Sequence, residues 1–122
     1  MRVIGFDHVV LNVADVERSL AFYGRELGLE GDRVEEWRAG RAPFPSVRIS
    51  PTVLIDLLDV PRTGENVNHI CLVVEPTDLQ AVKDSGRFEI VDGPAQRYGA
   101  RGNGTSIYLK DPDGNVVELR HY

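Results

Sequence analysis

Four short stretches of the chain set a single polar residue into an aliphatic strand pattern, and they fall into two matching pairs. Asp7-His8-Val9-Val10-Leu11-Asn12-Val13 lies over Asn68-His69-Ile70-Cys71-Leu72-Val73-Val74 at an offset of 61 residues. Ile55-Asp56-Leu57 lies over Val117-Glu118-Leu119 at an offset of 62. Successive side chains on a strand point to opposite faces, so a period of two marks a strand with one buried face. Each His strand is followed by a helical pattern. Asp15 can cap a helix from Val16 to Leu27 with Leu20, Phe22, Tyr23 and Leu27 apolar, and Thr77 or Asp78 can start a shorter one through Leu79 and Val82. Gly28 and Gly86 stand where those helices end.

The remaining strands are expected near residues 33–38, 46–50 and 52–58 in the first half, and near 87–91, 104–110 and 115–121 in the second. The chain then reads as one α+β domain, residues 1–122, made of two βαβββ modules (1–59 and 67–122) joined by a linker at 60–66 rich in turn-forming residues. Asp111-Pro112-Asp113-Gly114 has the composition of a tight turn and ties the last two strands into a hairpin. Alternation puts Val9, Leu11, Val13, Ile70, Leu72, Val74, Ile55, Leu57, Val117 and Leu119 on an aliphatic face that each module's helix can cover. His8, Asp56, His69 and Glu118 project from the opposite face, which no helix covers.

Composition narrows the function classes. At 122 residues and 13.6 kDa, with 42% hydrophobic and 27% charged residues, the chain can bury a real core without staples. It has no apolar run approaching a membrane span, and its start has no signal-peptide layout. Cys71 is the single cysteine, so no internal disulfide forms, and a cytoplasmic setting is expected. A net charge of -5 with scattered basic residues argues against a nucleic-acid partner.

Two imidazoles and two carboxylates among apolar neighbours on one sheet face make a poor structural arrangement. Like charges repel, and burying a carboxylate unpaired costs several kcal/mol. A divalent cation removes both problems, and the repeat places two of three histidines and both carboxylates at matching positions. His8, Asp56, His69 and Glu118 are therefore the candidate metal ligands. Two nitrogens with one or two carboxylates suit Mn²⁺, Fe²⁺, Co²⁺, Ni²⁺ or Zn²⁺ better than Ca²⁺ or Cu⁺. The third histidine, His121, falls on the other face of its strand from Glu118 and reads as structural or solvent-exposed.

These residues resemble the vicinal oxygen chelate superfamily, the glyoxalase, bleomycin-resistance and dioxygenase proteins, over essentially the whole chain. The resemblance rests on Asp7-His8-Val9-Val10-Leu11, on Ser19-Leu20-Ala21-Phe22-Tyr23-Gly24-Arg25-Glu26-Leu27-Gly28-Leu29, and on Tyr108-Leu109-Lys110-Asp111-Pro112-Asp113-Gly114 followed by the strand residue Glu118. It implies a glyoxalase-like fold in which paired βαβββ modules form a curled mixed sheet around a metal cleft. It also implies His8, His69 and Glu118 as ligands, with Asp56 where glyoxalase-like members carry a further one. Members of this length resemble homodimers, often with the first half of one chain facing the second half of the other. The implied chemistry is direct coordination of a small oxygen-rich substrate by a metal acting as a Lewis acid, in a lyase, isomerase or oxygenase.

Departures from the family narrow this further. The additional His that extradiol dioxygenases carry before the Tyr is missing from residues 99–103, which disfavours ring cleavage. Asn12 stands where glyoxalase I has a glutathione-contacting Arg. Glu118 and Tyr108 are the candidate catalytic residues, and Asn12, Arg48 and Arg101 the candidates for substrate contact, with Arg97 a further cation beside a Gly-rich segment expected to be a mobile rim. The alternative function is a non-catalytic binding protein of the bleomycin-resistance type, although such binders usually lack the ligand set.

Overall fold

A computed structural model of the chain describes every residue except 62, 65 and 111–113. The elements run β1 (Val3–Val13), α1 (Val16–Leu20), β2 (Glu30–Asp32), α2 (Val34–Arg38), β3 (Ser46–Ser50), β4 (Val53–Asp59), β5 (Val67–Val74), α3 (Leu79–Asp84), β6 (Ile90–Gly99), β7 (Gly102–Lys110) and β8 (Val116–His121). A strand, a helix and three strands therefore occur twice in an α+β chain, with α2 as an addition to the first set. The expected turn at 111–113, and residues 62 and 65 of the expected linker, lie outside the described residues.

The chain forms two compact units that do not follow the sequence halves. One comprises residues 1–8 and 69–122, the other 9–68. In the second of these the strand order is β2-β3-β4-β1, with β2/β3 and β3/β4 antiparallel. Val13, Val16 and Leu57 form its buried core, with Leu11, Leu20, Tyr23, Trp37 and Ile55 packed around them. This is the expected aliphatic face under α1. The carboxylate of Asp15 caps α1 by accepting from the Arg18 N–H at 3.0 Å, and a π-helical turn, Ala21–Glu26, carries the chain on to Gly28 at φ 75°. That wider turn leaves Phe22 and Leu27 exposed, against the expectation of a regular apolar helix face. The strand expected at 33–38 is instead helix α2. Val34 and Trp37 are three apart, a helical spacing, and Trp37 is drawn onto the core.

In the unit of residues 1–8 and 69–122 the order is β1-β5-β8-β7-β6, with β5/β8 parallel and β8/β7/β6 antiparallel. Val74, Leu79, Ile107, Leu109 and Leu119 are its core, completed by Leu72, Val82, Phe88, Ile90 and Val117. Asp78 caps α3 through the Ala81 N–H, and Gly86 ends it at φ 66°. The strand expected at 87–91 begins at Ile90 and runs on to Gly99, because the Gly-rich segment expected to be a mobile rim is paired backbone. Arg97, Tyr98 and Gly99 face Gly104, Asn103 and Gly102 in a hairpin that turns at Ala100-Arg101.

Glycine is required at the end of that hairpin. A Cβ on Gly99 would lie 2.0 Å from Nη1 and 2.4 Å from Cζ of Arg120, and one on Gly104 would lie 2.7 Å from the His121 carbonyl. Arg120 cannot swing away, since it is fully buried and donates to the carbonyls of Arg97 (2.6 Å), Tyr98 (3.3 Å) and Gly102 (3.4 Å). Gly99→Ala is expected to destabilise the chain by about 1–3 kcal/mol, the usual cost of overpacking. Gly64→Ala, with no atom within 4 Å of the added methyl, should stay within about 0.5 kcal/mol of the parent. Denaturant unfolding of both variants checks this, and coincident midpoints would refute the close-packing account.

Candidate metal centre

His8, His69 and Glu118 reach one place from three strands of the same unit. β1 carries His8, and its neighbour β5 carries His69. β8 runs parallel to β5 with Cys71 opposite Glu118, while antiparallel β7 sets Tyr108 opposite the same glutamate. His8 and Glu118 are buried to 2% and 1% exposure. Nε2 of His8 and Nε2 of His69 each lie 3.1 Å from Oε2 of Glu118, and all three donor atoms fall within 4.8 Å of one another. The rings meet edge to face with centroids 5.4 Å apart.

Oε2 of Glu118 is buried yet accepts no hydrogen bond, although both ring nitrogens are close enough. With bonds near 2.1 Å, two ligands of one ion are separated by about 3.0 Å at right angles and about 3.4 Å at the tetrahedral angle. The observed 3.1 Å falls between these, so the residues present fit a divalent ion.

Asp7, His8 and Cys71 form a second group of buried donors, and it has a different character. Nδ1 of His8 lies 2.7 Å from Oδ1 of Asp7, a hydrogen-bond distance too short for two ligands of one ion. Asp7 is fully buried. Its Oδ1 also accepts the Ala100 N–H at 2.9 Å, its Oδ2 accepts the Tyr122 hydroxyl, and Nη1 of Arg120 stands 3.9 Å away. The same Nη1 lies 3.5 Å from Oε1 of Glu118, so the guanidinium holds the oxygen turned away from the donor cluster.

These contacts set the charge states. Burial alone would raise the Asp7 carboxyl, but His8, the Ala100 N–H, Tyr122 and Arg120 hold it below its ordinary value. Burial also opposes a charged Glu118, and the His69 and His8 imidazoles outweigh it, keeping the group well below the usual carboxylate range. For His8, desolvation is overcome by Asp7, Cys71 and Glu118, which push the ring up to about 12. Burial pushes the Cys71 thiol up to about 12 and raises Tyr108 as well, so neither ionises at neutral pH.

The other expected site residues are placed as follows. Asp56 belongs to the unit of residues 9–68, where it is 2% exposed and accepts a hydrogen bond from the Ser46 hydroxyl at 2.5 Å. Arg48 of that unit pairs with Asp32 at 2.8 Å and donates to the Pro51 carbonyl. Asn12, also there, accepts from the Asn68 amide at 3.4 Å. Arg101 is exposed, with its guanidinium 4.2 Å above the Tyr122 ring, and Arg97 pairs with Asp92 at 2.8 Å. Tyr108 has its ring edge-to-face with His69, centroids 5.3 Å apart. Strand alternation places Arg120 on the face of Glu118, and it is found there at 3.5 Å from Oε1; Asp7 and Tyr122 were not anticipated around the cluster, and the only advance signal for them was the Asp before His8. His8, His69 and Glu118 come together within this one chain.

Comparison with known proteins places the chain in a family. The chain matches the Glyoxalase/Bleomycin resistance protein/Dioxygenase superfamily over residues 5–119. It is 31% identical to the glyoxalase domain-containing protein RDO1 of Mycosarcoma maydis, across 100% of this chain and 70% of that protein. It is 28% identical to a probable lactoylglutathione lyase of Synechocystis sp., across 92% and 91% of the two chains. The fold is shared with the Mn(II)-bound glyoxalase of Novosphingobium aromaticivorans at a TM-score of 0.70 and 22% identity, over 98% of this chain and 39% of that one. With nearly its whole length matched and its strand and helix order agreeing, the chain belongs to the Glyoxalase/Bleomycin resistance protein/Dioxygenase superfamily.

Proposed function

We propose that this protein is a divalent-metal-dependent enzyme acting on a small substrate through neighbouring oxygen atoms. The observation that carries the proposal is the buried, unbonded Oε2 of Glu118 at 3.1 Å from two imidazole nitrogens. His8, His69 and Glu118 would hold the ion. When bound, a divalent metal supplies Lewis-acid polarisation of a substrate oxygen and stabilises negative charge there.

The chain's own groups then divide the work. Glu118, kept ionised beside two imidazoles and Arg120, is a ligand before it is a base. Tyr108 keeps its proton at neutral pH and stands across from Glu118, so its hydroxyl can donate to an oxygen brought to the cluster. Arg101 lies exposed on Tyr122 and is the candidate contact for an anionic substrate group in this unit. Arg48 is engaged by Asp32 and serves the scaffold of its own unit.

The site is tested by metal content and by calorimetric titration with Mn²⁺, Co²⁺, Ni²⁺ and Zn²⁺ on protein purified without affinity nickel. One ion per chain is expected. His8→Ala, His69→Ala and Glu118→Gln should each weaken binding by more than about 100-fold, beyond the loss typical of a supporting partner. Unchanged affinity in these variants would refute the assignment.

Oxygen chelation is tested with acetohydroxamate, a bidentate oxygen ligand, added to Co²⁺-loaded protein. A change in the visible spectrum is expected. Tyr108→Phe should keep its cobalt and bind the probe about 2- to 10-fold more weakly, the value of one hydrogen bond. A spectrum indifferent to the probe would favour the non-catalytic binding protein.

Assembly as a homodimer is the second part of the proposal. It is supported by Val3, Ile4 and Phe6 of β1, which expose 51%, 55% and 42% of their surface. Light scattering at micromolar concentration should give twice the 13.6 kDa chain mass, and a monomer would refute it.

A further inference from the structure

We propose that Asp7 is a positioning residue for the metal centre: its carboxylate, locked by Ala100 and Tyr122, fixes the His8 ring so that Nε2 is the nitrogen offered to the ion. The inference rests on the reading of His8, His69 and Glu118 as ligands. A fully buried carboxylate is expensive unless its oxygens are satisfied, and here they are satisfied by groups from distant parts of the chain. Oδ1 takes the Ala100 N–H, Oδ2 takes the Tyr122 hydroxyl, and the Arg120 guanidinium balances the charge. Both oxygens of Asp7 already accept, one from a backbone N–H and one from a hydroxyl, so the remaining contact at 2.7 Å requires a proton on Nδ1 of His8. That leaves Nε2, 3.1 Å from Glu118 Oε2, as the atom whose lone pair can bind a cation.

Tyr122 makes this arrangement rigid. Its hydroxyl donates to Asp7 while accepting the Arg101 N–H at 3.1 Å, and its ring is packed between the guanidinium groups of Arg101 (4.2 Å) and Arg120 (4.8 Å). The hairpin turn at Ala100-Arg101 therefore supplies both the backbone donor to Asp7 and the clamp on the tyrosine. An asparagine at position 7 can turn its amide nitrogen towards His8 and favour the opposite tautomer, in which Nε2 carries the proton.

Asp7→Asn and Tyr122→Phe test this by two readouts: zinc affinity, and the ring nitrogen shifts of His8 by long-range ¹H–¹⁵N correlation. In the parent protein Nδ1 of His8 should be protonated, with a slowly exchanging proton when zinc is bound. Asp7→Asn should lower zinc affinity about 10- to 100-fold and shift protonation away from Nδ1. Tyr122→Phe should bring a several-fold loss and faster exchange of the Nδ1 proton. A merely structural role would lower the melting temperature and leave both the affinity of the folded protein and the nitrogen shifts unchanged, and that result would overturn the proposal. If Asp7→Asn does not fold, Tyr122→Phe decides alone, and an unaltered Nδ1 exchange rate would overturn it. A parent protein that binds none of the metals would refute the metal reading, and the exchange rate of the Nδ1 proton in the metal-free parent and the variants would still decide the role of Asp7.

Discussion

The structure around the site depends on how one buried cation is shared. Arg120 has no exposed surface, and two fully or nearly fully buried carboxylates, Asp7 and Glu118, stand 3.9 and 3.5 Å from its Nη1. Leaving any one of these charges unmatched inside the protein costs several kcal/mol. The same guanidinium donates from Nη1 and Nη2 to three carbonyls of the β6–β7 hairpin. Such a bond set admits no bulk next to it, and so Gly99 and Gly104 line the guanidinium. Hairpin, arginine and carboxylates are thus a single unit of packing.

Strand pairing converts that unit into a donor cluster. A parallel β5/β8 pair puts Glu118 beside Cys71, two residues along the strand from His69 and therefore on the same face. The neighbouring β1 delivers His8 with its Nδ1 side already occupied by Asp7. Two of the three candidate ligands are held from behind by a different partner, His8 by Asp7 and Glu118 by Arg120. Rigid support of this kind is what a metal site needs, because binding then carries little reorganisation.

The internal repeat makes the candidate ligands legible in the sequence. His8 and His69 stand out only because they fall at equivalent positions, and Glu118 because a turn-like segment and an aliphatic strand frame it. The cores were legible for the same reason, as alternation assigned Leu72, Val74, Val117 and Leu119 to one face and the helices cover that face. What could not be read depends on long-range closure. Strict alternation would put Asp7 on the opposite face from His8, yet both are buried and in contact. The partners of Asp7 lie 93 and 115 residues away, a separation with no local signature. Residues 33–38 were misread because a five-residue helix with one aromatic anchor at Trp37 offers too short a period to tell from a strand. Residues 1–8 belong to the same compact unit as residues 69–122, where β1 neighbours β5, a grouping with no signal in the local pattern.

The charge states of the site bear on what it can bind. Without a metal, the carboxylates of Asp7 and Glu118 face one guanidinium and one His8 imidazolium, and the buried charges cancel. That balance explains how so many ionised groups are tolerated at nearly zero exposure. With an ion held as proposed, His8 coordinates as a neutral ring, so one proton leaves as two positive charges arrive. The cluster then carries one net positive charge in surroundings of low polarity, where an uncompensated charge interacts strongly. An anionic oxygen restores neutrality, whereas a neutral ligand does not. The groups that bury the site thereby favour a substrate that binds as an anion or develops negative charge on the coordinated oxygen, and Tyr108, which keeps its proton, can donate a hydrogen bond to that oxygen without adding charge.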